Sequence, residues 1–440
     1  MDSNVLSAAW AGARAMLKVA LVCGIGALAY RFQMFDRPTS KTISKMFIQL
    51  YLPLLIFSKT SIAITPANAP FLAIISTFAL AYFALGHAFG AVLWYFARRY
   101  MPIHLQLSLI PAAGFGNNGD LVLSIIMSLE GIGGFTSADV DKGIAYVAVW
   151  YAIFNAIFYS ASVNCFKADF RRLAKAEEVL EVDVDVGNPG IAIEPATATH
   201  VEPSSTTQVV DTTRPDSRTQ LNPAQLEATP GLPATHTAIL NSASTPSLFT
   251  RIRTILAHPF LQSLVFPPNI ALFLGLLVAL IPALKSLFLP LTTAPLGFAF
   301  DAASFLGAAA IPLSMTVFGA ALTTIETDRD MLRKHPGLLW CALALLAFRL
   351  LALPGIGIAL VTVATNGGWI PKDQGMLRFV CMVQACVPTA QICILITQYY
   401  HPRGESKEMA TIMIVQYAAA MLTLTACLGY IFHVLEATIP

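Results

Sequence analysis

The stretch GFGNNGD, Gly114 to Asp120, fits G-x-G-x-x-G, the pattern that cradles a dinucleotide pyrophosphate. That chemistry needs a strand before the loop, a helix after it and an acidic residue roughly 20 positions on. Here the loop lies inside a long apolar run, and the lone downstream acid, Glu130, stands about half that distance away. The other reading is a break in a membrane helix. Closely spaced glycines favour unwinding, because glycine has the most backbone entropy to lose. An unwound turn at membrane depth exposes N–H groups and positive half-helix ends that suit an anion. Asn117 and Asn118 then offer amide donors to a carboxylate, or else cap the broken helix themselves. Asp120 is an ionisable group at membrane depth, where such groups are rare and usually functional. It is a candidate proton carrier if desolvation raises its pKa, or a fixed charge paired with Lys18 or Arg349.

A second stretch, ACVPTAQICILIT at Ala385–Thr397, also breaks an apolar run. Pro388 removes an amide donor and clashes with the preceding turn. Pro388, Thr389 and Gln391 are therefore candidate substrate contacts beside Asn117, Asn118 and Asp120, and Gln384 is either a further contact or an interhelical hydrogen bond. Gly116, Gly119 and Pro388 shape the breaks, while Pro53 and Pro312 are expected to kink neighbouring spans. Lys18 either snorkels or serves as a counter-ion, and Arg349 is expected to pack against Asp301 or a helix end. His87, in an aliphatic and aromatic run, reads as a satisfied packing histidine. Other chemistries have no support. H-E-x-x-H, G-x-S-x-G and Walker A motifs are absent from the sequence, so we expect no enzyme, no cofactor and no metal site. The seven cysteines are scattered through apolar runs without a C-x-x-C pair and read as small buried hydrophobes.

These residues must be held by elements that live in lipid. The chain is 56% hydrophobic and 12% charged, against roughly 25% charged in a soluble domain. A net charge of +2 gives no reason to expect nucleic acid as a partner. A spanning helix takes roughly 20 apolar residues, and candidate spans fall near 13–33, 43–64, 70–97, 105–129 and 143–166, then 258–281, 295–323, 338–363, 376–399 and 408–434. Alternate loops are rich in Lys and Arg, including Arg31–Lys45, Arg98–Arg99 and Lys167–Lys175, which places those loops in the cytosol and both termini outside it. The expected organisation is a five-span half (1–166), a cytosolic, largely disordered loop (167–255) and a second five-span half (256–440). A short hairpin is an option near Val179–Val186 within that loop. Five spans, a cytosolic loop and five more imply that the second half enters from the opposite side, an inverted repeat in which spans four and nine, both broken, correspond.

At these residues the chain resembles the auxin efflux carrier family, and within it the PIN-LIKES branch and its fungal relatives. The resemblance is carried by MLKVALVCGIGALA at Met16–Ala29, GNNGD at Gly116–Asp120, FPPNIALFLGLLVALIPALKSLF at Phe266–Phe288, AAIPLSMTVFGAAL, and VQACVPTAQICILITQYYHPRGESKE. It implies an all-α membrane protein of ten transmembrane helices in two inverted five-helix repeats, with helices four and nine broken and crossing. It implies a secondary carrier of small amphipathic carboxylates such as indole-3-acetic acid, an elevator-type movement, and residence in the endoplasmic reticulum membrane, with the plasma membrane as the alternative. A homodimer is an open option. One departure stands out: relatives carry proline two residues after the signature, where this chain has Val122, so its first break must rest on glycine. The rival readings are a ligand-binding membrane sensor or scaffold signalling through the central loop, and an ion-coupled carrier of amino-acid-like solutes.

Overall fold

The computed structural model describes residues 3–63, 69–187, 265–323 and 335–436. Among them the chain is helical, without a strand beyond one isolated bridge. The helices are α1 (Ser3–Arg31), α2 (Arg37–Met46), α3 (Leu52–Ala63), α4 (Leu72–Ala97), α5 (Leu109–Gly114), α6 (Asp120–Ile126), α7 (Ser137–Ile157) and α8 (Val163–Gly187). Past the undescribed central segment come α9 (Pro267–Leu280), α10 (Pro282–Phe288), α11 (Gly297–Ala308), α12 (Ala310–Thr323), α13 (Gly337–Ala347), α14 (Leu353–Asn366), α15 (Gly375–Val383), α16 (Ile392–Tyr400) and α17 (Lys407–Glu436). By length and composition, five stretches of continuous helix are apolar enough to cross a membrane, and α9 with α10 adds a pair bent by 105°.

Local chemistry sets the helix ends. The Asp36 carboxylate accepts from the Thr39 amide at 2.7 Å and starts α2, with Pro38 in its first turn. Hydrogen bonds from Thr39 hold that carboxyl below its ordinary pKa. Thr136 and Asp139 form a reciprocal capping box that starts α7. The turn before it uses Gly131, Gly133 and Gly134, all at positive φ, a region that costs other residues strain.

Three π-helical segments interrupt the long helices: Phe47–Tyr51 between α2 and α3, Phe158–Ser162 between α7 and α8, and Phe348–Ala352 between α13 and α14. Two of them end two residues before a proline, Pro53 and Pro354. A proline ring collides with the carbonyl four residues back and offers no amide, so the ladder loosens to the wider π pitch just ahead of it. At Pro53, where a kink was expected, the helix carries this π segment just ahead of the proline. Pro312 differs: it is exposed inside α12, and the discontinuity lies ahead of it at Ala309.

The helices can be divided into two groups that also meet, α1 against α17 and α3 against α7. In one, α3 lies against α9 and α11, and α1 against α12. Small residues bring these backbones together, since a side chain at Gly26 would meet the Thr316 carbonyl and one at Gly319 the Cys23 carbonyl. In the other, α4 packs on α5 and α7, α15 on α7, α14 and α17, and α13 on α17. Here Gly86 and Gly90 form a G-x-x-x-G face, where Cβ atoms would stand 2.6 Å from the Ala113 carbonyl and 2.7 Å from Ile110 Cα.

The hairpin option near Val179–Val186 is corrected: α8 runs without interruption through Gly187, past the expected edge of the loop at 167. The alternation of Val with acids there suits a strand, but a helix already nucleated upstream extends at little cost per residue. The rest of the expected disordered loop, 188–255, lies outside the described residues.

Candidate functional site

The two sequence breaks meet. After α5 the chain leaves helical geometry at Phe115 and resumes it at Asp120, and after α15 it does so between Gln384 and Ile392. Gly116 and Thr389 form the isolated antiparallel bridge. The Asn117 amide donates to the Pro388 carbonyl at 2.7 Å, and the Ala390 amide to the Phe115 carbonyl at 3.0 Å. Each break thus satisfies backbone groups of the other, which a helix interruption in lipid requires.

Arg349 completes this accounting. It is 2% exposed, on the π segment ahead of α14. Its guanidinium donates to the carbonyls of Ala113 (3.2 Å), Gly114 (3.5 Å) and Val387 (2.9 Å). These carbonyls belong to the C-terminal end of α5 and to the unwound segment after α15, where helix dipoles turn their negative ends. The expected helix-end role is the one observed, and Asp301 is exposed on α11 instead. Gly116 is required by this cation, because a Cβ there would overlap Arg349 Nη2 and stand 2.7 Å from Val387 Cγ2.

Asn118 does not point a free amide at a ligand. Its Nδ2 donates to Gln384 Oε1 at 2.6 Å and to the Gln384 carbonyl at 3.0 Å, Gln384 Nε2 returns a bond to the Asn118 carbonyl at 3.1 Å, and Asn118 Oδ1 accepts from the Gly116 amide at 3.1 Å. It locks the two breaks together, the capping alternative of the sequence reading. Thr389 is likewise committed: its hydroxyl lies 2.8 Å from the Ala112 carbonyl and 3.0 Å from Gln416 Oε1, which also accepts from the Thr389 amide at 3.2 Å. Neither Pro388 nor Thr389 lines the cavity described next. The sequence shows that a residue adjoins a break, not which way it turns.

A cavity of about 40 Å³ sits at the meeting point, lined by Asn117, Gly119, Tyr151, Ser314 and Gln391 among others. Asn117 Nδ2 donates to the Tyr417 hydroxyl at 3.1 Å, which donates on to the Thr389 carbonyl at 3.1 Å. Gln391 is 4% exposed, and neither its Nε2 nor its Oε1 has a partner among the described residues. A larger cavity of about 260 Å³ adjoins it, sharing Gly119 and Tyr151 and otherwise lined by α3, α6, α7 and Ile311. Both cavities are lined from both groups, by Leu55 and Ile311 or by Phe47 and Ser314 on one side and by Tyr151 of α7 on the other, with Gly119 and Gln391 contributed by the breaks themselves.

The remaining candidates lie elsewhere or outside view. Lys18 is exposed midway along α1 rather than near its end, with no ion pair among the described residues. Asp120 opens α6, but its side chain, and with it the proposed pairing or proton role, falls outside the described residues. Pro53 and Pro312 line neither cavity, though Phe47 and Ser314 beside them do. His87 is satisfied by the Phe83 carbonyl at 2.6 Å and Ser162 Oγ at 3.2 Å. Sequence reasoning missed Tyr151, Ser314 and Lys59, and only the helix-to-helix facing reveals them. Among the described residues no cluster of side chains is suited to a metal.

This is the architecture of a helical membrane protein built around two broken helices and a small buried polar cavity. A family model described as membrane transport protein matches residues 12–428, so the chain belongs to that family, the auxin efflux carriers of the resemblance above. It is a membrane transporter and not an enzyme. Protein PIN-LIKES 2 of Arabidopsis thaliana is 26% identical over 431 residues, covering 93% of this chain and 91% of the relative. Protein PIN-LIKES 5 of the same plant is 29% identical over 178 residues, 40% of this chain and 42% of that protein. Protein ECM3 of Saccharomyces cerevisiae (strain ATCC 204508 / S288c) is 26% identical over 192 residues, covering 40% of this chain and 31% of the relative.

Proposed function

We propose that the protein is a secondary carrier of small amphipathic carboxylates, auxin-like in size and charge, with its site where the two breaks meet. The observation that carries this reading is Gln391, a buried amide without a partner for either polar atom. An unmade buried hydrogen bond costs about 1–3 kcal/mol. A ligand that brings a carboxylate for Nε2 and an N–H or O–H for Oε1 removes that cost, and Asn117 stands in the same cavity. Among the described residues no side chain lining the smaller cavity is positively charged, so an anion there is held by amides. Arg349 is committed behind it to the carbonyl ends, which leaves the opposite, positive helix poles for the ligand.

Further parts of the proposal rest on topology. The ten spans form two inverted five-helix repeats with the fourth and ninth crossing at their breaks. The group containing α1, α3, α9, α11 and α12 is the fixed scaffold, and the other group slides against it as an elevator. Cavities lying between the groups suit such a movement. The endoplasmic reticulum membrane is the proposed location.

Uptake of radiolabelled indole-3-acetate into proteoliposomes tests the function. Wild-type protein is expected to move the acid, and Gln391→Leu to lower uptake about tenfold or more, as loss of a buried hydrogen bond to a charged ligand implies. A wild type that moves no weak organic acid, with or without a pH gradient, overturns the reading.

A further inference from the structure

We propose that Lys59 is the residue that selects monocarboxylates in the larger cavity, with Asp141 excluding dianions. The inference rests on the carrier reading above and names how its site is reached. The smaller cavity, about 40 Å³, is too tight for a whole ligand, whose pockets run from roughly 300 Å³ upward. The body of any substrate must therefore lie in the adjoining space of about 260 Å³. That space is apolar along Leu55, Ile62, Leu123, Ile144 and Ile311, and its only charged lining residues are Lys59 and Asp141.

Position gives the two charges their role. Lys59 lies in the last turns of α3 and Asp141 in the first turns of α7, so both stand toward the Ala63 end of the cavity. Gly119 and Tyr151 form the opposite floor, shared with the smaller cavity. Neither Lys59 nor Asp141 has an ion-pair partner among the described residues. Lys59 is half-buried, so an anion reaching it is attracted more strongly than at an exposed lysine. An incoming carboxylate meets this ammonium first, lays its apolar body along the aliphatic wall, and then has Asn117 and Gln391 within the next cavity. A second carboxylate on the same ligand would face Asp141 and be repelled. The substrate class that follows is a monoanion with one compact apolar body.

Full-length protein in nanodiscs, which leave both faces open, is titrated with radiolabelled indole-3-acetate, and uptake into proteoliposomes is followed in parallel. Lys59→Gln is expected to weaken binding about tenfold, to flatten its dependence on ionic strength and to lower uptake at low acid concentration by a similar factor. Lys59→Arg should restore both affinity and salt dependence. Asp141→Asn should let homophthalate, a dianion, compete where it does not against wild type. If Lys59 merely snorkels to the membrane surface, Lys59→Gln will bind with wild-type affinity and salt dependence, and the proposal is overturned while the carrier reading stands. A wild type that neither binds nor moves the acid overturns both.

Discussion

Gly116 and Arg349 fix each other's identity. The guanidinium reaches three carbonyls across the two breaks only because nothing projects from Gly116. Gly116→Ala is expected to lower stability by about 1–3 kcal/mol or more, the usual cost of forcing a methyl into a packed interior, because the nearest atom belongs to a buried, multiply bonded cation rather than a free side-chain tip. A thermal melt of the detergent-solubilised protein checks this, and a midpoint equal to wild type would show that Arg349 has another resting place. The sequence made part of this legible. Clustered glycines and Pro388 mark the breaks, and a mid-span arginine demands a helix end or an anion. What one sequence does not contain is the facing of residues far apart in the chain. Asn118 and Gln384 each look able to hold a ligand until the structure turns them toward one another, while Gln391, with the same chemistry, is left unpaired.

Among elements, the presence of long apolar helices was the most readable feature, because a long apolar run has few alternatives in lipid, while edges such as that of span five, expected at 166, were not. Span eight, expected at 338–363, is helical from Gly337 to Asn366. The π segments were not readable, since Pro53 predicts a disturbance without its pitch. Nor was the clasp between α2 and α16 at the Arg31 end. There Ser44 Oγ donates to Gln398 Oε1 at 2.8 Å, Lys41 Nζ to the Pro402 carbonyl at 2.7 Å, and Gln49 Nε2 to the Tyr399 hydroxyl at 3.2 Å. α2 continues into α3 and α16 follows the second break, so these bonds tie the two together at the Arg31 end, while the larger cavity lies toward the Ala63 end. Ser44 and Gln398 are both buried, and a double-mutant cycle with Ser44→Ala and Gln398→Met should show a coupling of about 0.5–1.5 kcal/mol in thermal unfolding. Additive effects would mean that the clasp is not held by this bond.

At the scale of the whole molecule, the helical core and the long central segment answer different questions. Every described residue lining the two cavities lies in 47–159 or 311–392. The central segment, 188–253, is rich in Thr, Pro, Ser and Ala. If the protein is a carrier, joining residue 187 to residue 254 through a short Gly/Ser linker should leave uptake of indole-3-acetate within about twofold of wild type, because a flexible connection of that kind adds little closure entropy. If it is a sensor that reports ligand through this segment, the shortened protein should still bind the acid with unchanged affinity but lose any ligand-dependent output, and the wild type should bind without accumulating it. Binding and uptake, measured on the same preparation, separate the two outcomes. Retained binding and retained uptake place transport wholly within the helices, whereas loss of uptake with binding intact would make the central segment part of the moving machinery.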